Sequence, residues 1–154
     1  MRTSAVLATL VATFTVPAAS APAGDAGVFA RQQTGKGKFC EKTVPAPPDD
    51  VVRARHDKFV DAFLVKRDIV ETFTYIAPEY INNNVTSPDS AQRALDFLSR
   101  LWGNQNITVH RTLYRDNYSW LNYAGMAGSN IIDRYRWEGG CIVQHWDRGE
   151  TWPA

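Results

Sequence analysis

The sequence predicts one α+β domain in which helices precede an antiparallel sheet. Between residues 49 and 102, apolar residues recur at spacings of three and four, which is the period of helices that bury one face. From residue 107 to residue 146, four runs rich in β-branched and aromatic residues are separated by short turn sequences, which is typical of an antiparallel meander. The length of 154 residues is sufficient for one domain with a packed core.

The first 23 residues have the features of a secretory signal peptide. Met1 and Arg2 precede an apolar run over residues 5–16, and small residues follow it. The run is too short to span a bilayer well, and cleavage after Ala21 or after Ala23 fits the pattern. We therefore expect a secreted, extracellular protein with no membrane association after cleavage of this signal.

Three Asn-x-Ser/Thr tripeptides agree with an extracellular protein. Their acceptor residues are Asn84, Asn106 and Asn117, all near predicted loops or strand ends. Use of any of them would imply a eukaryotic source, and we expect a secreted fungal glycoprotein.

Residues 24–48 are predicted to form an extended arm or linker before a domain that covers residues 49–154. The segment is rich in Gly, Gln, Lys and Pro and lacks apolar periodicity. It contains Cys40, and Cys141 is the second of the two cysteines. In an oxidising compartment these two most simply form one disulfide, which would tie the arm to the final strand. A catalytic thiol is the alternative, although neither cysteine lies in a nucleophile motif.

Three helices are predicted before the sheet. Asp49 and Asp50 supply the acidic residues favoured at a helix N-terminus. The apolar stripe of this first helix consists of Val52, His56, Phe59 and Phe63. A second helix is predicted over residues 68–76 and is stopped by Pro78. Ser87, followed by proline, is the predicted N-cap of the third helix.

The final two strands are predicted to form a hairpin. The four strands are predicted at residues 107–114, 118–124, 129–137 and 141–146. If the final turn has three residues, with Gly140 in the left-handed region, Trp137 pairs with Cys141 and Asp133 lies opposite His145. We favour this register over a two-residue Gly-Gly turn, which would place Asp133 and His145 on opposite sides of the sheet.

In the favoured register one face of the hairpin collects several polar side chains. The residues on this face are Asp133, Tyr135, Val143, His145 and Asp147. Two acids and a histidine can form an acid/base site. The alternative is a solvated face whose charges keep the sheet soluble.

The hairpin also carries a family resemblance. Asp-Arg-Tyr-Arg-Trp-Glu-Gly-Gly-Cys-Ile-Val-Gln-His-Trp-Asp (133–147) resembles the closing hairpin of SnoaL-like proteins, which belong to the nuclear transport factor 2-like superfamily. Their usual form, Asp-Ile-Phe-Arg-Phe, a Glu-Asn-Gly turn and Lys-Ile-Val-Glu-His-Trp-Asp, has the same Asp-to-His spacing. Tyr80 and Ile81 match the family's Tyr-Ile. Over residues 50–150 the resemblance implies a cone-shaped, curved antiparallel sheet wrapped around N-terminal helices, with a ligand pocket at its open end.

The resemblance implies roles for the hairpin residues. In ketosteroid isomerase, which is similar here, the matching aspartate is protonated and donates a hydrogen bond to an oxyanion. Asp133 is therefore the predicted catalytic acid or hydrogen-bond donor, and His145 is its predicted partner in proton exchange. The structural alternative for Asp133 is an ion pair with a neighbouring arginine. Asp147 would either orient His145 or face water.

Two positions depart from the family pattern. Asn83 and Asn122 stand where many SnoaL-like proteins have histidine, and an asparagine side chain can form hydrogen bonds but cannot accept a proton at neutral pH. His56 is either a core residue or a pocket residue. The predicted substrate-binding residues are Tyr80, Asn83, Trp120, Asn122, Tyr135, Asp147 and His56.

Other functional classes are disfavoured. A net charge of +1, from 17 basic and 16 acidic residues, and the lack of basic runs interleaved with aromatic residues disfavour a nucleic-acid partner. His56, His110 and His145 are not at metal-ligand spacings, and no strand is followed by a glycine-rich phosphate loop, so no metal and no cofactor is predicted.

Three functions fit the resemblance. The first is acid/base catalysis, by an isomerase, cyclase or lyase, on a small, partly apolar carbonyl or polyketide-like compound. The second is a binding module whose aromatic pocket holds a small apolar molecule without turnover. The third is a homodimer formed through the outer sheet face, with the residues Ile132, Arg134, Ile142 and Trp146. Turnover of a carbonyl substrate that is lost in Asp133→Asn would select the first function. Ligand binding that is retained in this variant, with no turnover in the wild type, would select the second. A dimer that is broken by Trp146→Ala, with no ligand found, would select the third.

Overall fold

The computed structural model describes residues 37–84, 90–125 and 127–154. The predicted signal peptide, the first part of the arm and the predicted N-cap Ser87 lie outside these ranges. Three α-helices pack on one side of a five-stranded sheet, whose strand order is β1-β5-β4-β3-β2. The predicted α+β class, a curved sheet packed on N-terminal helices, is confirmed.

Helix α1, Asp49–Val60, continues directly into a π-helical segment, Asp61–Lys66. The helix begins after Pro48. Two aspartates in its first turn stabilise it, because their negative charges interact favourably with the positive end of the helix dipole. The segment ends at Arg67, which adopts the left-handed conformation with φ of 57°. The whole predicted apolar stripe is buried, namely Val52, His56, Phe59 and Phe63.

Helix α2, Ile69–Phe73, is shorter than the predicted helix over residues 68–76. Its N-cap is Asp68, whose carboxylate accepts a hydrogen bond from the backbone N–H of Glu71 at 2.9 Å. The helix ends early because the chain turns into strand β1, Ile76–Asn82. Pro78 therefore lies in a strand, and the position of β1 at the edge of the sheet tolerates its missing N–H.

Strand β1 also changes the sheet from the predicted antiparallel form to a mixed one, because it pairs in parallel with β5. The other four strands form the expected antiparallel meander. They are β2 (Thr108–Arg115), β3 (Tyr118–Gly125), β4 (Gly128–Glu138) and β5 (Cys141–Trp146).

Helix α3, Ala91–Leu98, is capped by Ser90, whose hydroxyl accepts a hydrogen bond from the N–H of Arg93. The prediction of Ser87 as N-cap is therefore wrong. A short 3-10 helix, Trp102–Asn104, follows. The indole N–H of Trp102 donates to the carbonyl of Phe63 at 2.6 Å, and the two rings stack with centroids 4.3 Å apart. This contact fixes the segment after α3 against the π-helical segment.

The turn between β4 and β5 has two residues, so the favoured three-residue loop is wrong. Glu138 pairs with Cys141, and Gly139 and Gly140 have φ values of 56° and 79°. Consecutive left-handed residues form the tight turn that matches the twist of a hairpin, and glycine adopts this conformation without a steric penalty.

A bulge in β5 then shifts the pairing by one more residue. Trp137 pairs with Ile142, whereas Tyr135 pairs with His145, so Val143 has no opposite residue. The shorter turn and the bulge each shift the pairing by one residue, so together they leave the same side chains on the inner face. Asp133, Tyr135, His145 and Asp147 consequently share the inner face as predicted, whereas Val143 packs with Cys40, Ala77 and Cys141 instead.

The predicted disulfide between Cys40 and Cys141 is confirmed, with a Cα–Cα distance of 5.8 Å. The arm around it is anchored further, because the N–H of Cys40 donates to the carbonyl of Ile76. The guanidinium of Arg55 donates to the carbonyl of Gly140 at 2.7 Å. Since both cysteines are bonded to each other, the alternative of a catalytic thiol is excluded.

The outer sheet face differs in one respect from the prediction. Ile142 is fully buried in the core, because it precedes the bulge, and so it cannot take part in an outer surface. Arg134 does lie on the outer face, where its guanidinium packs over the ring of Trp146 at 4.4 Å and pairs with Glu150 at 3.1 Å. A homodimer through this face stays a prediction. Among the described parts of the chain, no helix has the length and apolar character needed to cross a membrane.

Candidate functional site

A cavity of about 360 Å³ lies between the helices and the inner face of the sheet. This volume is at the small end of the range for ligand sites, and it fits a compact organic molecule. Most of its wall is apolar and aromatic, formed by Phe59, Phe63, Phe73, Ile76, Ala94, Phe97, Leu98, Leu101, Trp102 and Ile131. Phe97 is 48% exposed, so this part of the wall borders solvent.

The polar part of the wall comes from three neighbouring strands. Asp133 projects from β4, and His145 projects from β5, with Asp147 just beyond the strand end. Tyr80 is contributed by β1. Because alternate residues of a strand share a face, these side chains point into the same space.

Asp133 is the centre of this polar group. Its carboxylate is buried, and its Oδ2 accepts hydrogen bonds from the hydroxyls of Tyr123 at 2.9 Å and Tyr135 at 3.1 Å. Its Oδ1 lies 3.5 Å from Nε2 of His145. The carboxylate is thus held by two phenols and faces an imidazole, which differs from the alternative of an arginine ion pair.

The phenols that line the cavity stay protonated at physiological pH. Burial, and next the negative charge of Asp133, raise the pKa of both Tyr123 and Tyr135 well above its usual value. Burial raises the pKa of Tyr80 in the same way, with further contributions from Asp133 and Asp147. All three are therefore neutral hydrogen-bond donors.

His145 has one polar atom available to a bound molecule. Its ring stacks on Tyr135, with centroids 4.6 Å apart and an interplanar angle of 16°. Its Nε2 is buried and has no hydrogen-bond partner in the described parts of the chain. The 3.5 Å that separate Nε2 from Oδ1 of Asp133 exceed an ordinary hydrogen bond. A ligand oxygen or a proton can therefore be shared between these two atoms.

Asp147 lines the cavity as well, and its Oδ2 accepts a hydrogen bond from the side-chain amide of Asn84 at 2.6 Å. This bond connects the chain after β5 to the chain after β1. The structure thus brings together five of the predicted site residues: Tyr80, Asp133, Tyr135, His145 and Asp147.

Asn83 does not reach the cavity, contrary to the prediction. It is exposed, and its side-chain amide donates to the backbone carbonyl of His145 at 2.9 Å. Its neighbours Asn82 and Asn84 line the cavity instead. Strand alternation counted from Tyr80 would have identified Asn82, because alternate residues of a strand share a face.

Trp120 and Asn122 are also placed differently from the prediction. Both belong to the outward-facing set of β3, and neither lines the cavity. The amide of Asn122 donates to Asn130 Oδ1 at 2.8 Å and to a backbone carbonyl, so its hydrogen bonds are used within the sheet. The cavity residue of β3 is Tyr123, which the sequence reasoning missed.

His56 is a core residue and does not contact the cavity. Its imidazole is buried against Tyr114 and Trp137, with ring centroids 5.8 Å and 6.5 Å away. Burial lowers its pKa from 6.5 to about 4. The core alternative for this histidine is confirmed, and its predicted role in binding is wrong.

The three sequons differ in their surroundings. Asn106 and Asn117 are exposed, in a loop and in the β2–β3 turn respectively. Asn84 lines the cavity, and the remainder of its tripeptide lies outside the described residues. Glycosylation at these positions stays a prediction.

One cluster offers the ligand atoms that metal ions use. The coordinating atoms of Asp133, His145 and Asp147 all lie within 4.8 Å of one another, so these three side chains could hold a divalent cation.

No protein-family model and no curated protein matches the sequence. Solved structures do match. A nuclear transport factor 2-like protein of unknown function from Burkholderia xenovorans is 12% identical, with a TM-score of 0.53 over 69% of this chain and 89% of that chain. A candidate ketosteroid isomerase from Kribbella flavida is 17% identical, with a TM-score of 0.51 over 68% and 84%. A SnoaL-like protein of unknown function from Burkholderia thailandensis is 10% identical, with a TM-score of 0.51 over 66% and 95%. At these identities the likeness establishes the fold.

Proposed function

Because the chain has the nuclear transport factor 2-like fold around a cavity, we propose that it binds a small, partly apolar molecule there and exchanges a proton with it. The proposed substrate is a carbonyl or polyketide-like compound, and the proposed reaction is an isomerisation, cyclisation or elimination. The observation that carries this proposal is the juxtaposition of Asp133 and His145 in the wall of an otherwise largely apolar cavity.

The contacts of Asp133 support a role in proton exchange. Two phenols hold Oδ2, which leaves Oδ1 directed at the imidazole of His145. A carboxylate and an imidazole at this distance can take a proton from the carbon next to a carbonyl and return it to another carbon of the enolate, so that no net proton is gained or lost. In this account Asp133 accepts hydrogen bonds from Tyr123 and Tyr135, and it is not the oxyanion donor that the family resemblance implies.

The proposal is tested by deuterium exchange into enolisable ketones in D₂O, with 2-acetylnaphthalene as the first probe. We expect the wild type to accelerate exchange at the carbon next to the carbonyl, and Asp133→Asn and His145→Gln to lose the acceleration. Trp120→Ala, on the outer sheet face, is the control and should retain it. Saturable binding in the wild type without faster exchange would contradict catalysis and select a binding module.

That second candidate has its own support. Strand β1 and the residues just after it contribute the phenol of Tyr80 and the amides of Asn82 and Asn84 to the cavity. Amides orient a ligand but cannot take up a proton at neutral pH. A pocket with a single carboxylate–imidazole pair is compatible with binding alone.

We also propose that the protein is secreted, and the disulfide between Cys40 and Cys141 supports this. Such bonds persist in oxidising compartments. Expression in a secreting eukaryotic host should release the protein into the culture medium. Its mass should correspond to a chain that begins after residue 21 or 23 and carries glycans on Asn106 and Asn117. Retention of the intact N-terminus inside the cell would contradict the proposal.

A further inference from the structure

Acidic side chains outnumber basic ones among the described residues that line the cavity. Two acids, Asp133 and Asp147, line it, and among the described lining residues the imidazole of His145 is the single basic side chain. None of the described residues that line the cavity is a lysine or an arginine. The stretch over residues 85–89, which follows the cavity residue Asn84 in the sequence, contains no basic residue either.

The neighbours of the two carboxylates are neutral. Asp133 has a side chain only 4% exposed, and its hydrogen bonds come from two phenols. Asp147 accepts hydrogen bonds from the side-chain amide of Asn84 and from the backbone N–H of Arg148. Hydrogen bonds of this kind lower the free energy of a buried carboxylate, but they do not neutralise its charge. One imidazole can balance at most one of the two acids, so the described lining carries net negative charge when both acids are ionised.

The aromatic wall, like the acidic side chains, favours a positively charged ligand. The rings of Phe59, Phe63, Phe73 and Trp102 line the cavity, and Tyr80 and Tyr135 lie beside His145. The face of an aromatic ring attracts a cation, and the attraction is larger where water is excluded. Carboxylates combined with aromatic walls are therefore complementary to an organic ammonium ion with an apolar body.

We propose that the ligand of this cavity carries a protonated amine. Its ammonium N–H groups donate to Asp133 and Asp147, and its apolar part packs against the aromatic wall. This inference rests on the proposed function, and it narrows the substrate class from small carbonyl compounds to those that bear a basic nitrogen, such as amino ketones. Anionic ligands, including carboxylic acids and phosphate esters, are disfavoured by repulsion from both acids.

Two probes of matched shape test the charge preference. 2-(Aminomethyl)naphthalene is a cation at pH 7, and 2-naphthalenemethanol is its neutral counterpart. Binding to the full protein is measured by titration calorimetry. We expect the amine to bind at least about tenfold more tightly than the alcohol, because the attraction of a cation to nearby carboxylates exceeds that of a hydroxyl. Raising the salt concentration should weaken the contribution of Asp133 little, since its side chain is 4% exposed and buried charges are poorly screened.

Variants of the two acids test whether the preference for the amine over the alcohol arises in the cavity. Asp133→Asn and Asp147→Asn should each bring the ratio of the two affinities close to one. Asp116→Asn removes the same charge in the exposed β2–β3 turn and is the matched control, with the ratio expected to be unchanged. If Asp133→Asn does not fold, Asp147→Asn and the wild-type ratio still decide the question.

The outcomes separate the two proposals. Equal affinities of amine and alcohol in the wild type, or an equal loss of amine preference in Asp116→Asn, would overturn the ammonium inference and leave the small-molecule cavity standing. If neither probe nor 2-acetylnaphthalene binds, the proposed function itself fails.

Discussion

Tyr135 lies directly opposite His145 across strands β4 and β5, and its ring stacks on the imidazole at 4.6 Å. The hydroxyl of the same tyrosine donates to Asp133. Tyr135 thus contacts both members of the carboxylate–imidazole pair and fixes their relative orientation. Together with Tyr123, it determines which oxygen of Asp133 remains for His145.

Removing either phenol hydroxyl should weaken the support of Asp133. In Tyr123→Phe and in Tyr135→Phe we expect a loss of about 1–3 kcal/mol in the free energy of unfolding, because each variant removes a hydrogen bond to a buried charged group. Urea unfolding measures the loss. Tyr118→Phe, on the outer face beside Arg134, is the control and should stay within about 0.5 kcal/mol of the wild type. Wild-type stability in both cavity variants would contradict the hydrogen-bonding pattern.

The disulfide should make a large contribution to stability. It joins residues 101 positions apart, and in the chain-entropy model a closed loop of this length contributes about 4–5 kcal/mol. We expect Cys40→Ala/Cys141→Ala to lose that amount in urea unfolding under oxidising conditions. Equal stability of the double variant and the oxidised wild type would show that the arm does not restrict the unfolded chain.

The buried His56 should make stability depend on pH. Its pKa is about 4 in the folded protein and 6.5 ordinarily, so between these values the unfolded chain binds more protons. The free energy of unfolding should therefore rise as the pH increases from 4 to 6.5, by about 3 kcal/mol, and this contribution should be constant outside that window.

His56→Phe tests this dependence. The variant keeps a ring between Tyr114 and Trp137, and Nδ1 of the histidine has no hydrogen bond to lose within the described structure. We expect the variant to gain stability relative to the wild type at pH 5 and not at pH 8. An unchanged pH profile would contradict the neutral buried state of this histidine.

Filling the cavity should abolish ligand binding. Leu98 is half-buried in the cavity wall on α3, so Leu98→Trp places a larger side chain in the space that a ligand needs. We expect the affinity for 2-acetylnaphthalene to fall more than about tenfold, which corresponds to about 1.4 kcal/mol. Trp120→Ala should bind as the wild type does. Unimpaired binding in Leu98→Trp would locate the ligand elsewhere.

The fold could be predicted because periodicity and turn sequences agree along most of the chain. The stripe ending at Phe63, the four meander strands and the disulfide all follow from local pattern and composition. Strand β1 could not be predicted in this way. Its pairing with β5 is a contact between segments about 65 residues apart. In addition, Pro78 is unfavourable in a strand unless that strand lies at the edge of the sheet, which the sequence does not reveal.

The candidate site was predicted through two compensating errors. The turn is one residue shorter than expected, and the bulge at Val143 shifts the register back, so the inner face keeps Asp133 and His145. Sequence contains little signal for a bulge within an apolar strand. Tyr123 was missed for a related reason, since a strand of alternating large residues such as β3 does not reveal which face packs on the helices.

A ligand bound in the cavity should contact His145. The three histidines of the chain allow a direct test, because one lines the cavity, His56 is buried elsewhere and His110 is exposed on β2. Protein labelled with ¹⁵N at histidine is titrated with 2-acetylnaphthalene and followed by NMR of the imidazole nitrogens. We predict a saturable shift of the His145 signals, with His56 and His110 nearly unchanged. Saturable binding that leaves His145 unmoved would contradict the assignment of the site.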